Sequence, residues 1–426
     1  MYRYSIETRV LENNHEVILG NRRNGEWIKT TKEILEFIDE YMKCSAQELN
    51  DFFESFSEED KIYLLSLIEI LKKIDIIVAI DDLRDYRVDI DDVLITLTER
   101  CNLTCKHCSM NATSIKNDDK LSYEDIIRII DQLKELEVKK VILTGGEPMV
   151  RNDFFKIIKY IKENTQLSIG VMTNATLINK DNIDELVKYS DSLDISIDGV
   201  DEETCSVIRG KGVFNRVISV VKMLKNRGYE NIALSMVETP NNSRFVKKFY
   251  ELCKELAIIP AVRKFEYIGR AVENKEFLNK VYSEDVTLTL RSGEFENDND
   301  GEKQLSKHNM PRIKMGRCGA LRKSLSINHN GTILPCSLLN KEEDSLGNVL
   351  DTELRNLFVT QNLTDLGSYK KLDRLEALPN QECSTCNVRY FCLTCPHITE
   401  LVSDGLETKN SICNGRKDYL EELVWG

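Results

Sequence analysis

The chain has 426 residues, enough for two or three domains with full-sized cores. Its 58 basic residues are outnumbered by 71 acidic ones, and the net charge of −13 excludes a general attraction to nucleic acid or to an anionic membrane. Met1-Tyr2-Arg3-Tyr4 opens onto polar residues and not an apolar signal. The longest apolar region, Ile62 to Ile80, is broken by Glu69, Lys72, Lys73 and Asp75, which rules out a bilayer span. Thirteen cysteines in such a chain point to metal ligation in a reducing cytoplasm, not to disulfides.

Residues 1–82 read as a separate small unit. Strand-like pieces at Tyr4–Leu11 and Glu16–Leu19 precede Trp27. Three helices follow, each opened by a capping-box pattern: Thr30 with Glu33, Ser45 with Glu48, Ser57 with Asp60. Behind the caps, Ile34, Leu35, Ile38 and Met42, then Leu64, Ile68 and Leu71, recur at helical spacing, and Ile76–Ile80 closes the unit as a strand. This order suggests a winged-helix-like fold. Such folds often bind DNA, but ten basic against eighteen acidic residues disfavour a phosphate-facing surface here. The pattern resembles the small PqqD-like peptide-recognition domain fused to many peptide-modifying enzymes, which implies a leader peptide added as a strand to the sheet edge. A packing domain without a ligand is the plainer alternative.

Asp81–Asp92 is an acidic connector, and from Val93 strand and helix signals alternate through a second region, residues 83–310. The strand-like runs are Val93–Thr98, Val141–Thr144, Ser168–Thr173, Leu193–Ile197, Ile232–Val237 and Val262–Tyr267. Amphipathic stretches such as the Ser122-capped segment to Leu136 lie between them, so the region reads as parallel βα units. Six units fall short of a closed eight-fold barrel. Ser292–Gln304 reads as a polar surface loop.

Directly after the first strand comes Cys101-Asn102-Leu103-Thr104-Cys105-Lys106-His107-Cys108. Three thiolates so spaced can hold three irons of a four-iron cube and leave the fourth open to a small molecule. Three structural or zinc-binding thiolates on a loop are the alternative. With an aromatic ring, His107, before the last cysteine, the run resembles the radical S-adenosylmethionine (SAM) superfamily. The resemblance implies an open, partial (β/α)6 TIM-like barrel, a [4Fe–4S] cluster on Cys101, Cys105 and Cys108, and reductive cleavage of SAM to a 5′-deoxyadenosyl radical that abstracts hydrogen from a substrate.

Polar residues gather at the expected C-terminal strand ends, where parallel α/β folds place chemistry. Gly145-Gly146-Glu147-Pro148 matches the superfamily's contact to the methionyl amine of SAM. Ser196 and Arg209 resemble the pair that holds the SAM carboxylate, a task suited to a guanidinium's paired N–H groups. The same resemblance sets His107 near the adenine and leaves Asn174 to the ribose or the substrate. Asp198 serves structure or substrate.

From Met315 the sequence becomes rich in cysteine, and residues 311–426 form the third region. The layout is Cys318-x₁₂-Gly331-x₄-Cys336, then Cys383-x₂-Cys386-x₅-Cys392-x₂-Cys395, then Cys413. The five-residue gap is too short for the two knuckles of a zinc ribbon. The layout resembles the SPASM extension of radical SAM enzymes, which carries two auxiliary four-iron clusters. Carried over, that pattern gives one cluster Cys318, Cys336 and Cys395, and the other Cys383, Cys386, Cys392 and Cys413. Neither Cys205 nor Cys253 matches a ligand position. The x₂ spacing before Cys395, in place of the commoner x₃, is shared with several maturases that cross-link peptides by thioethers. A three-thiolate cluster could bind and orient a peptide thiol. Forming a thioether from a thiol and a C–H bond removes two electrons; hydrogen abstraction takes one and an auxiliary cluster can accept the other.

The implied activity is SAM-dependent maturation of a ribosomally made peptide, foremost by thioether cross-links, with a flavodoxin- or ferredoxin-type electron donor. Carbon–carbon cross-linking, epimerisation and sulfatase-type maturation are rivals of the same class. An iron–sulfur electron carrier or regulator whose first domain reads DNA is the rival from another class.

Overall fold

The computed structural model describes residues 1–45, 48–82, 90–279, 313–316, 318–360, 367–375, 381–392, 395–403, 413 and 416–426. The expected polar loop at Ser292–Gln304 lies outside them, as do the borders expected near residues 83 and 310. Two units form: residues 1–88 with 299–322 and 357–426, and residues 89–298 with 323–356.

In the first unit, β1 (Tyr2–Tyr4) pairs antiparallel with β5 (Ile77–Ala79), while β2 (Thr8–Asn13), β3 (Glu16–Asn21) and β4 (Trp27–Thr31) form a meander. Helices α1 (Lys32–Lys43), α2 (Glu48–Glu54) and α3 (Glu58–Lys73) fill the interval before β5. Ser57 caps α3 by accepting from the Asp60 amide, as its sequence pattern predicts. Thr31, not Thr30, stands at the cap of α1, because β4 runs on through Thr30 in register with Val17.

The two-residue period of β3 splits it between two cores. Val17 and Leu19 pack with Phe37, Ile38, Leu64, Ile68 and Leu71 of the helices. Ile18, between them, joins Leu11 and Trp27 in a second core with Met315, Val388, Phe391, Leu420 and Val424. Residues 1–82 therefore bury one face of their sheet against the C-terminal Cys-rich segment. Gly20 allows this approach: a Cβ there would strike the Met315 side chain.

In the second unit, β6 (Asp92–Thr96) is followed by the short pair β7 (Arg100–Cys101) and β8 (Thr113–Ser114), then by α4 (Tyr123–Glu135), β9 (Lys140–Thr144), α5 (Phe154–Asn164) and β10 (Ser168–Thr173). Next come α6 (Ile183–Tyr189), β11 (Ser192–Ser196), α7 (Glu202–Arg209), α8 (Val213–Lys225), β12 (Ile232–Glu238), α9 (Val246–Glu255), β13 (Ile259–Lys264), β14 (Ser324–Ile327) and β15 (Ile333–Leu334). The sheet runs β13-β12-β11-β10-β9-β6-β14-β15, parallel throughout except for the antiparallel β15. Val93, Ile95, Val141, Leu143, Ile169, Val171, Leu193 and Ile195 alternate along it as fully buried residues. The helices answer with apolar stripes such as Ile126, Ile129, Ile130 and Leu133 of α4. This is an α/β partial barrel.

Two features differ from the sequence reading. The sixth strand starts three residues earlier than its apolar run suggests, at Ile259. As an edge strand holding Pro260 and the exposed Arg263 and Lys264, it carries no clear burial pattern. Beyond the six expected strands, β14 pairs with β6 in parallel, Ser324 opposite Asp92. The barrel sheet is thus extended by a segment from the Cys-rich region. No helix among the described residues is long and apolar enough to cross a membrane.

Candidate active site

The loop from Cys101 to Ala112 follows β6 at the C-terminal edge of the sheet. Cys101, Cys105 and Cys108 lie close enough to interact electrostatically with one another. Burial pushes the Cys101 thiol up to about 11 and raises that of Cys105, which Arg209 opposes. Thiols so buried are protonated unless a metal takes the proton's place. N–H groups already face the sulfurs. Leu103 N lies 3.4 Å from Cys101 Sγ and Ala112 N 3.4 Å from Cys108 Sγ. Asn174 Nδ2 reaches Cys101 Sγ at 3.8 Å and Arg209 Nη1 reaches Cys105 Sγ at 3.9 Å.

Among the described residues, no three Cys, His, Asp or Glu side chains converge closely enough to hold a single metal ion. Three neighbouring thiols, each faced by an N–H donor, fit a cluster whose thiolates bind separate irons.

The Gly145–Pro148 turn after β9 is laced onto the stretch leading into Cys101. Gly146 N donates to Thr98 O at 2.9 Å and Glu147 N to Arg100 O at 2.8 Å. A Cβ on Gly146 would strike the Arg100 carbonyl, so glycine is required by this approach of two backbones. Gly145 likewise sits against Thr98. Glu147 is fully buried and turned towards β10: it accepts from Thr173 Oγ1 at 2.8 Å, Asn174 N at 2.8 Å and Met149 N at 3.2 Å. Burial raises its carboxyl to about 7 against those three donors. Its side chain ties the end of β10 to the turn after β9.

Asn174 is 6% exposed and engaged at both ends of its amide. Nδ2 donates to Asn102 Oδ1 at 3.0 Å, and Oδ1 accepts from Thr176 N at 2.9 Å and Thr176 Oγ1 at 2.5 Å. Ser196 ends β11, half-buried and in register with Ser235 of β12.

Asp198 is the hub that sequence reasoning left undecided. Its Oδ2 lies 2.5 Å from His107 Nε2 and 2.5 Å from Arg209 Nε, while Oδ1 accepts from Val237 N at 2.7 Å. Burial opposes its ionisation, yet Arg209, His107 and the Val237 amide hold it well below the usual carboxylate range. Arg209 and His107 are thus brought together, beside Cys105, through one carboxylate.

Sequence reasoning missed Gly269 and Arg270, beyond β13. Gly269 has φ of 60°, and a Cβ there would strike the Cys108 and Ser109 carbonyls. Arg270 donates from N to Cys108 O at 2.9 Å, from Nη1 to Cys105 O at 3.1 Å and from Nη2 to Ala112 O at 2.7 Å. The available signal was a glycine and an arginine just past a strand end.

None of the thirteen cysteines is in a disulfide. Cys318, Cys383, Cys386, Cys392, Cys395 and Cys413 belong to the first unit and are half-buried. Cys336, after β15, belongs to the second. Cys386 and Cys392 border the core that contains Trp27 and Phe391. Cys205 and Cys253 are fully buried helix residues whose thiols burial pushes up to about 11 and about 12.

Comparison with known proteins gives two family matches: the Radical SAM superfamily over residues 95–276, and the SPASM iron-sulfur cluster-binding domain over residues 318–387. The mycofactocin maturase MftC of Mycolicibacterium smegmatis is 26% identical over 321 residues, 72% of this chain and 79% of that protein. A probable GTP 3′,8-cyclase of Saccharolobus islandicus is 31% identical over 169 residues, but these span only 40% of this chain and 54% of the cyclase. The crystal structure of Streptococcus suis SuiB bound to precursor peptide SuiA shares the fold. Its TM-score is 0.55 at 18% identity, covering 97% of this chain and 100% of that one. The cofactors of the matched domains are [4Fe–4S] clusters and SAM, which the thiol triplet and its N–H surroundings fit. The chain is an enzyme whose residues 95–276 match the radical SAM superfamily and whose residues 318–387 match the SPASM iron-sulfur cluster-binding domain.

Proposed function

We propose that the enzyme matures a ribosomally synthesised peptide, installing thioether cross-links at cysteine. The observation that carries this reading is the pairing of a thiol triplet at the barrel's strand ends, Cys105 buried and Cys101 and Cys108 half-buried, with a second, C-terminal set of cysteines in a domain that binds iron–sulfur clusters. The alignment with a maturase across most of that protein's length supports a peptide substrate. When bound, a reduced cluster and SAM supply one-electron hydrogen abstraction.

The chain's own groups supply position. Cys101, Cys105 and Cys108 ligate the cluster through a loop held by Gly146, Asn174 and Arg270. Gly145, Gly146, Ser196 and Arg209 line the strand ends against which the amino-acid part of SAM binds, and His107, fixed by Asp198, faces its adenine. Glu147 keeps the turn after β9 in register with β10. In the extension, Cys383, Cys386, Cys392 and Cys413 hold one auxiliary cluster and Cys318, Cys336 and Cys395 another, three clusters in all. The three-thiolate set leaves room for a substrate thiol, whose deprotonation ligation would favour. The N-terminal unit is the leader-binding domain. β2 and β4 are the edges of its sheet, and an extended peptide can add to such an edge through main-chain hydrogen bonds. A flavodoxin- or ferredoxin-type protein delivers the electrons.

The test is a Cys395→Ala variant given SAM, reductant and a Cys-containing precursor peptide. The reading expects 5′-deoxyadenosine to form nearly as in the native enzyme and the cross-linked product to be absent by mass spectrometry. Normal product would refute the role given to that cysteine, and turnover of a precursor lacking cysteine would refute thioether chemistry.

A further inference from the structure

Two of the three barrel thiols receive an N–H from a side chain that is itself held from behind. Asn174 offers Nδ2 to Cys101 Sγ at 3.8 Å. The opposite end of its amide accepts from Thr176 N and Oγ1 at 2.9 and 2.5 Å, and its backbone amide donates to Glu147 Oε2 at 2.8 Å. A flipped amide would set oxygen against Asn102 Oδ1 and the Cys101 sulfur and nitrogen against the Thr176 amide, so the donor direction is fixed. Arg209 offers Nη1 to Cys105 Sγ at 3.9 Å, while its guanidinium forms an ion pair with Asp198, Nε lying 2.5 Å from Oδ2. Asp198 is tied in turn to the Val237 amide and to His107. The side chains of Arg209 and Asp198 are 9% and 0% exposed.

Reducing the cluster adds one negative charge, spread over its sulfurs. Donors aimed at ligand sulfurs in a buried site favour that state, and hydrogen bonds to sulfur are among the determinants of iron–sulfur potentials. Because Glu147, Thr176 and Asp198 hold the two donors in place beforehand, little reorganisation is needed on electron arrival.

We propose that Asn174 and Arg209 set the reduction potential of the cluster on Cys101, Cys105 and Cys108 by donating to the Cys101 and Cys105 sulfurs, with Asp198 as the positioning residue for Arg209. This goes beyond contacts to SAM, and it rests on the radical SAM assignment.

The experiment is an anaerobic redox titration of the reconstituted full-length enzyme without SAM, followed by electron paramagnetic resonance. The barrel cluster is identified as the signal that changes when SAM is added to a parallel sample. Asn174→Asp replaces the donor with an acceptor of equal size, and Arg209→Gln removes the charged donor. In each, reduction of that cluster becomes at least tenfold less favourable, a fall of about 59 mV for one electron. An unmoved midpoint in either variant overturns the proposal, the barrel cluster being assigned in each variant as the signal that a further Cys105→Ala change removes. A native signal indifferent to SAM would instead overturn the radical SAM reading. Should a variant fail to load its cluster, native enzyme made with 15N-arginine decides. The reduced cluster then shows a 15N coupling that Arg209→Lys removes, and absence of that coupling in the native protein overturns the proposal.

Discussion

The two sets of cysteines are held in contrasting ways. The loop carrying Cys101, Cys105 and Cys108 is fixed by polar contacts from the turns after successive strands: Gly146 and Glu147 after β9, Asn174 after β10, Arg209 at the end of α7, Arg270 after β13. At Cys386 and Cys392 the C-terminal segment is packed against an apolar core. In that core Leu11, Ile18 and Trp27 of the N-terminal sheet meet Met315, Val388, Phe391, Leu420 and Val424. Trp27 Nε1 adds a hydrogen bond to Ile313 O at 2.6 Å, and its ring meets Phe391 edge-on at 5.2 Å. A site that must bind SAM in one pose gains from directional contacts. A shell that carries clusters needs a firm wall, and apolar packing supplies that.

If the contrast is real, damage to one region should spare the other. The largest effect is expected from Cys105→Ala: 5′-deoxyadenosine formation ceases, while the iron bound by the C-terminal cysteines stays, measured as iron content and product yield together. Asp198→Asn comes next, because it leaves the buried Arg209 without its counter-charge. Breaking one partner of such a pair costs about 3–5 kcal/mol, read by urea unfolding, with the C-terminal iron again retained. Trp27→Ala inverts the pattern. Truncating a buried aromatic residue costs about 3–5 kcal/mol, and here the loss should fall on C-terminal iron while the barrel cluster still responds to SAM.

A smaller effect sharpens the description of the barrel site. Glu147 titrates near 4.5 when unfolded and at about 7 in the fold. Between these values the folded state holds a proton that the unfolded state has released, so stability falls as pH rises. The contribution is fully present below about pH 4.5 and lost by about pH 7, up to about 3 kcal/mol. Urea titrations of native protein and Glu147→Gln across that range check it: the variant's pH slope should be flatter, and identical slopes would contradict the burial of this carboxyl.

Much of the barrel site was legible because its signals are local. The cysteine triplet, the Gly145–Glu147 turn and the strand ends at Asn174 and Ser196 are each short runs whose meaning depends on spacing. The caps at Ser57 and Ser122 were readable for the same reason. What escaped depends on distant partners. Asp198 is an ordinary strand-end acid until His107, Arg209 and Val237 are folded around it. Gly145 and Gly146, matched in the sequence to a SAM contact, are also needed by the backbone at Thr98 and Arg100. Ile18 alternates with Val17 and Leu19 as in any buried strand, and nothing nearby in sequence says that its face is covered by residues about 300 to 400 positions away. β14 is four residues long, and only its pairing with β6 and β15 distinguishes it from a loop.

The central claim is a cluster at Cys101, Cys105 and Cys108 with one iron left for SAM. Electron paramagnetic resonance of the oxygen-protected, dithionite-reduced protein, before and after SAM, tests it most directly when paired with assay of 5′-deoxyadenosine. The account predicts a four-iron signal that changes shape on adding SAM and loses this response in Cys105→Ala, with 5′-deoxyadenosine formed only by the native protein. Zinc at the triplet, or a cluster signal unaltered by SAM and no cleavage, would contradict it.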